Sequence, residues 1–410
     1  MLKEEHKVNK LNLPFIIILS YLLLRPIATM EWPFLIWGYR TFEIFAVFST
    51  AILALALIGK VRFDRITLFM IFYMLYCLFN IVNGAQIRET IRQLFPFVCF
   101  VAIRGIISTE KETKIAVYFM LIGFIVIIWP NAYYIYKGVT LAKVLYITGI
   151  ERHRGIFQNI HTMAHTMLSF SFLFAYYIYL KKFKPYRFFN LFLVLSMLLS
   201  IYGIYKSVTR TVIIGFLLFW SLFLFKYSKK LLIIFLVVSL SAFILYEAKV
   251  ELIFHDLVKA VETDRERDIE AAGSGRIHLW EIGFRYFQNL SFERKLIGIG
   301  LGNEGRMGTA REGTIPDSHN DFLTLLITNG IIGLLLYLAL YLLIFLDMVR
   351  YRFDDKLFYW QLAILFSVIA MNLFSNSYVS RFELGQLFWT YVGFFYISYK
   401  LKLRSNTFSD

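Results

Sequence analysis

The sequence predicts an all-α polytopic membrane protein of about twelve transmembrane helices, organised as a single transmembrane domain over residues 1–410. Three observations carry that expectation. Hydrophobic residues make up 59% of the chain and charged ones only 17%, whereas soluble domains run near 45–50% and about 25%. The apolar residues fall in runs long enough to cross a bilayer as helices, without the polar–apolar alternation of an outer-membrane barrel strand. Lysine and arginine, which give the chain its net charge of +15, gather in alternate connections. Soluble enzymes, disordered chains and single-span anchored receptors are thereby excluded.

The expected crossings are 13–30, 41–59, 65–82, 91–107, 114–136, 162–180, 187–205, 211–227, 230–246, 321–346, 357–374 and 383–400. The first follows Lys3, Lys7 and Lys10 and resembles a signal peptide, but further spans follow and no small-residue cleavage site stands out, so it reads as an uncleaved helix. Cys77 and Cys99 both lie within apolar runs and imply no disulfide framework. The fourth span is the least apolar, interrupted by Arg92, Pro96 and Arg104.

Charge sidedness tests that fourth span. Downstream of it, one set of alternate loops with the C-terminus holds thirteen Lys/Arg: Lys181, Lys182, Lys184 and Arg187; Lys226, Lys229 and Lys230; Arg350, Arg352 and Lys356; Lys400, Lys402 and Arg404. The opposite short loops hold seven: Lys137, Lys143, Arg152, Arg154, Lys206, Arg210 and Arg381. The richer side is expected to face the cytoplasm. Lys60, Arg62, Arg104 and Lys111 join it only if the fourth span is counted, so both halves agree on twelve spans with both termini inside. The basic excess therefore reads as membrane topology, and nucleic acid is not an expected partner.

One connection breaks the pattern of short loops. Residues 247–320 form an extracytoplasmic loop between spans nine and ten, with ten basic and thirteen acidic residues. Long connections inside compact folds are usually functional or disordered. Helical spacing of Val250, Ile253, Phe254, Leu257, Val258 and Val261 predicts a helix near 250–262. A second stripe, Ile277, Trp280, Phe284 and Phe287, predicts another over 277–290. No internal repeat is found.

Topology sends several polar residues to the outer face. Arg210 stands at the mouth of span eight in Ser207-Val208-Thr209-Arg210-Thr211, where an arginine can also simply snorkel. Arg276 opens the second loop helix, a position that opposes the helix dipole and so invites an anionic partner. His319 precedes span ten in Pro316-Asp317-Ser318-His319-Asn320-Asp321. Three other patterns carry less. Gly300-Leu301-Gly302-Asn303-Glu304-Gly305 spells a dinucleotide fingerprint, but no strand–helix–strand unit surrounds it; its glycines read as a tight turn that lets backbone approach another element. His161 and His165 are one turn apart but lack the glutamate of a zinc protease. No Asp-x-Asp metal clamp for a sugar nucleotide is present.

Taken together, Ser207–Thr211, Gly275-Arg276 with Trp280, Leu296-Ile297-Gly298-Ile299-Gly300-Leu301-Gly302-Asn303, Ser318-His319-Asn320-Asp321-Phe322-Leu323 and Asn329-Gly330-Ile331-Ile332-Gly333 resemble the O-antigen ligase and polymerase family. Arg154-Gly155-Ile156-Phe157 looks like that family's R-x-G-x-F segment, with His161 standing where the family has an asparagine. The motifs cover residues 154–333.

The resemblance implies a lipid-donor (C-type) glycosyltransferase-like fold in the bacterial cytoplasmic (inner) membrane, with its active site on the periplasmic or outer face. It implies an undecaprenyl-pyrophosphate-linked glycan donor, a glycan acceptor that is either a lipid-linked repeat unit or lipid A core, contact with membrane lipids and, as a further candidate partner, a chain-length regulator. It implies an inverting, metal-independent reaction with no cofactor. Elementary chemistry agrees, because a departing diphosphate needs fixed cations if no metal is present, and arginine binds phosphate with two prongs. Arg210 and Arg276 are expected to clamp the diphosphate with Arg154 assisting, and His319 to serve as base. Asn159, His161, Asn320 and Asp317 are the remaining expected substrate contacts, and Asp317, Asn320 or Asp321 could orient His319. Polymerase and ligase differ only in the acceptor. Polymerase is placed first, since more kinds of surface glycan need one. A transporter or flippase without catalysis is the rival class; it predicts charged residues near mid-span, which these spans almost lack.

Overall fold

A computed structural model describes residues 12–30, 41–57, 61–138, 143–145, 151–157, 159–180, 187–245, 276–303, 319–350, 352 and 354–407. Fifteen helices lie among them: α1 Leu13–Ile27, α2 Thr41–Ala56, α3 Arg65–Val82, α4 Ile87–Ile106, α5 Glu110–Tyr136, α6 Ile160–Leu180, α7 Arg187–Ser207, α8 Arg210–Tyr227, α9 Lys229–Leu245, α10 Arg276–Gln288, α11 Phe292–Ile297, α12 Asp321–Thr328, α13 Gly330–Arg350, α14 Asp355–Phe374 and α15 Phe382–Thr407. The protein is thus a helical, polytopic membrane protein. A helix stands at each of the twelve expected positions, and seven (α3, α5, α6, α7, α8, α13 and α14) are long and apolar enough to cross a membrane by length and composition. The expected helix over 250–262 lies outside the described residues.

Local chemistry sets many boundaries. Asp64 caps α3 by accepting the Thr67 N–H at 3.1 Å. Thr109 and Glu112 form a reciprocal capping box at the start of α5. Asp354 caps α14 through the Lys356 and Leu357 N–H groups at 2.9 and 3.1 Å.

Helix α4 explains how a charged segment sits inside the bundle. It packs extensively on α15, and its arginines are satisfied. Arg104 is buried, pairs with Asp64, donates to Thr67 Oγ1 at 3.1 Å, and lies over the rings of Phe100 and Tyr396. Arg92 pairs with Glu89 at 2.9 Å and lies over the Phe382 ring.

The structure departs from expectation at two places. The chain is not helical throughout: after α5, β1 Lys143–Leu145 and β2 Glu151–His153 pair antiparallel, with Val144 opposite Arg152. The crossing expected at 321–346 is also interrupted. Helix α12 ends at Thr328, Gly330 takes a positive φ of +68°, and only α13 continues as a candidate span. Asn329-Gly330 is a helix-ending signal, with glycine in the left-handed conformation. The freed carbonyls are not wasted: Ile327 O and Thr328 O accept the N–H groups of Ile299 and Gly300 at 3.0 and 2.9 Å.

The glycine run that donates those bonds is a clamp, as its sequence suggested. Gly298, Gly300 and Gly302 all have positive φ. A Cβ on Gly300 would come within 2.5 Å of the Ala85 nitrogen, and one on Gly298 within 2.1 Å of Thr328 O. Gln86 N–H donates to Leu301 O at 2.8 Å and Asn303 Nδ2 to Gly84 O at 2.8 Å. The loop is thereby fastened between the α3–α4 turn and the α12–α13 break.

The two ends of the bundle differ. One end collects ion pairs from the start of α3, the ends of α6, α8, α13 and α15, and the start of α14: Arg65–Asp347 at 3.5 Å, Lys226–Asp355 at 2.6 Å, Lys402–Asp354, and Tyr179 donating to Asp354 at 3.1 Å. The opposite end carries the turns whose motifs stood out in the sequence.

Candidate functional site

At that opposite end the α7–α8 turn is held in an uncommon shape. Ser207 is fully buried, donates from Oγ to Ile204 O at 2.6 Å and accepts the Thr209 N–H at 3.1 Å. Between them Val208 has φ +51°, a left-handed conformation that a β-branched residue rarely takes. Arg152 on β2 braces the turn, donating from Nε to Ser207 O at 2.9 Å and from Nη2 to Thr209 Oγ1 at 3.3 Å. Arg210 is therefore fixed as the half-buried first residue of α8.

The neighbouring Arg154-Gly155-Ile156-Phe157 segment is pinned to α5. Gly155 has φ +54°, and a Cβ there would fall 1.8 Å from Asn131 Oδ1, which accepts the Ile156 N–H at 3.1 Å. Phe157 is completely buried and bridges to Met30. Arg154, half-buried, projects from this anchored strip. Asn159 follows, and its Oδ1 accepts the His161 N–H at 2.7 Å, closing the first turn of α6.

His319 is the second non-glycine residue with a positive φ among those described, at +50°. The next residue, Asn320, caps α12, its Oδ1 accepting the Phe322 and Leu323 N–H groups at 3.0 Å each. Asp321 is completely buried and organises the turn between α14 and α15. Its carboxylate accepts the N–H groups of Ser377, Val379 and Ser380 at 2.9, 3.1 and 3.1 Å and both serine hydroxyls. Five donors around one carboxylate make a rigid turn. Asp317 lies outside the described residues.

Arg276 opens α10 and donates from Nη1 to Phe374 O, the last carbonyl of α14, just before that same turn. Helix α10 packs through Leu279, Trp280, Ile282, Tyr286 and Phe287 on Leu323 and Ile327 of α12. The expected stripe is thus partly shifted: Phe284 is 51% exposed, while Gly283 is the position facing α12, a Cβ there lying 2.9 Å from Leu323.

These elements meet around the first turns of α6. Arg381, immediately before α15, donates from Nη1 to Thr162 Oγ1 at 2.8 Å. Arg381, Arg152 and Arg276 all lie close enough to His161 to act on it electrostatically, as does His165. His165 is fully buried, its ring edge-on to Tyr378 at 5.5 Å. Five helices, α6, α8, α10, α12 and α15, begin here, so the positive ends of their dipoles add to the arginine charge. Such an arrangement favours a polyanionic ligand. Among the described residues no group of three or more His, Cys, Asp or Glu is placed to hold a metal ion.

Sequence reasoning named Arg210, Arg276, Arg154, His161 and His319, and each stands on one of these turns. It counted Arg152 and Arg381 only as charges. Their one legible signal was position: Arg381 ends a Ser- and Asn-rich turn and precedes an apolar helix, where an arginine opposes the dipole.

Residues 195–338 match the family model described as O-Antigen ligase. That segment takes in Arg210, Arg276, His319 and Asn320, while Arg152, Arg154, Asn159, His161 and Arg381 lie outside it. No curated protein matches the chain. The matched family carries out O-antigen ligase- or polymerase-type transfer of lipid-linked glycans in bacterial membranes.

Proposed function

We propose that this protein, with its O-antigen ligase family segment at 195–338, transfers glycan from an undecaprenyl-pyrophosphate donor to a sugar hydroxyl at the outer face of the bacterial cytoplasmic membrane. The observation that carries the reading is the clustering of Arg152, Arg276 and Arg381 around His161 at one end of the bundle, on the positive ends of helices. The other end, rich in lysine and arginine, faces the cytoplasm with both termini. Residues 247–320 then form an extracytoplasmic unit between the ninth and tenth spans.

The reaction is a single displacement. The acceptor oxygen attacks the anomeric carbon, the bond to the diphosphate oxygen breaks, and configuration inverts. Arg210 and Arg276, with Arg154, hold the diphosphate and stabilise the charge that grows on the leaving oxygen. His319 takes the acceptor proton, its imidazole aimed by the left-handed backbone and by Asn320, which follows it and caps α12. No metal is required, because fixed guanidinium groups supply the countercharge. Helix α10 covers the site and keeps water, the competing acceptor, away.

Repeat-unit polymerisation is the activity we assign, for O-antigen or capsule-type glycans. The description of the matched family favours a second reading, ligation of finished polysaccharide to lipid A core. A gene deletion analysed by glycan gel separates them. Loss of a polymerase leaves single repeats on the acceptor, whereas loss of a ligase strands long chains on carrier lipid. A deletion that changes neither pattern overturns both.

A further inference from the structure

The turn between α14 and α15 carries groups that the displacement above leaves unused. Arg381 is braced on two sides, Nε donating to Asn376 O at 2.9 Å and Nη1 to Thr162 Oγ1 at 2.8 Å. Both acceptors are neutral. The nearby Asp321 carboxylate is taken up by five other donors, and no acid pairs with Arg381 among the described residues. The guanidinium also stands at the positive end of α15, a 26-residue helix whose dipole opposes it. Arg152 and Arg276 share its neighbourhood around His161. A cation that is rigidly braced, unneutralised, opposed by a dipole and close to like charges favours an anion in front of it.

A second observation points to a ligand from the same turn. Asn376 is 2% exposed, and neither its Oδ1 nor its Nδ2 has a hydrogen-bond partner. Leaving a buried amide unpaired is costly. A polar ligand group with both a donor and an acceptor, such as a sugar hydroxyl, satisfies it.

We propose that Arg381 is a further donor-binding residue, contacting the diphosphate of the lipid-linked donor through its remaining Nη2 edge, with Asn376 receiving a hydroxyl of the sugar next to it. The inference rests on the reading of the chain as a transferase of lipid-linked glycan. It extends the site beyond the family-matched segment, to a turn that Asp321 holds in place.

The test uses the full-length protein purified in detergent, with undecaprenyl pyrophosphate as the probe, titrated by intrinsic tryptophan fluorescence. Wild type, R276Q, R381Q and R381K are compared, and donor and acceptor KM are measured separately. R381Q is expected to weaken binding and raise donor KM by about tenfold to a hundredfold, with acceptor KM unchanged and R381K intermediate. If R381Q binds as wild type while R276Q does not, the role of Arg381 is overturned and the transferase reading stands. If wild type itself shows no saturable binding, the transferase reading fails and takes this inference with it. Should R381Q not fold, T162V removes only the hydroxyl that braces Nη1. It is expected to raise donor KM about threefold to tenfold, and an unchanged donor KM overturns the proposal.

Discussion

The Asp321 carboxylate accepts the backbone N–H of Ser377 at 2.9 Å, so the residue two places after His319 folds the turn that ends in Arg381. Base and phosphate-binding candidates that are 62 residues apart in the sequence are thus coupled through one buried acid.

Replacing that acid by its amide keeps the shape and removes the charge. Asp321→Asn is expected to cost about 2–3 kcal/mol, since an amide offers one acceptor oxygen to donors that two carboxylate oxygens now share. Thermal unfolding in detergent measures the stability loss. Transfer activity should fall further than stability does, and an unchanged melting temperature would count against the organising role of Asp321.

The proposed reaction requires His319 and Arg276 directly. His319→Ala is expected to lower transfer by about 100-fold or more, and Arg276→Ala by a comparable factor, with membrane insertion and expression intact. Glycan transfer by membranes from variant strains, normalised to protein level, checks this. Full activity in both variants rejects the site.

The proposed countercharge from arginine rather than metal has a simple consequence. Transfer by purified protein is expected to be unaffected by EDTA, and added Mg²⁺ or Mn²⁺ should not restore the Arg276→Ala variant. Metal-dependent rescue would exclude the mechanism.

The glycine clamp separates backbone strain from collision. Gly84 and Gly330 both have positive φ, but a Cβ on Gly84 meets nothing within 4 Å, whereas one on Gly330 lies 2.2 Å from Leu296 O. Gly84→Ala is expected to cost about 1–2 kcal/mol from conformation alone. Gly330→Ala should exceed it by at least about 2 kcal/mol, because backbone must move. Equal melting temperatures for the two variants would show that the α12–α13 break does not depend on the clamp.

Val208 offers a test of stored strain. Val208→Gly relieves a left-handed β-branched residue worth about 1–2 kcal/mol, offset by about 0.5–1 kcal/mol of added unfolded-state freedom. Thermal stability is expected to be equal or slightly higher. Transfer should drop, since the turn that fixes Arg210 becomes looser. A variant as active as wild type would mean the strained turn is not needed for positioning.

Much of the fold was legible before any coordinates. A helix, α4, stands where the sidedness of distant lysines and arginines called for a fourth crossing, and Arg104 proves to be buried against Asp64 and two rings. The interruption at Asn329-Gly330 was not read as such, because a continuous apolar run hides a one-residue reversal of φ. Asn159 and Asn320 show a related limit. Both are expected at the substrate, and the Oδ1 of each also holds the first turn of a helix; a polar residue at a helix start carries a capping signal and a binding signal that look alike in sequence.

Hydrophobicity and charge are properties of segments, so the amino-acid order alone determined that this chain is a helical membrane protein and which connections share a side. Proximity among single arginines is a property of turns. The left-handed backbone at Val208 and His319, the five donors on Asp321 and the bond from Arg381 to Thr162 decided which cations meet, because each depends on partners that are remote in the chain and adjacent only once the helices have packed.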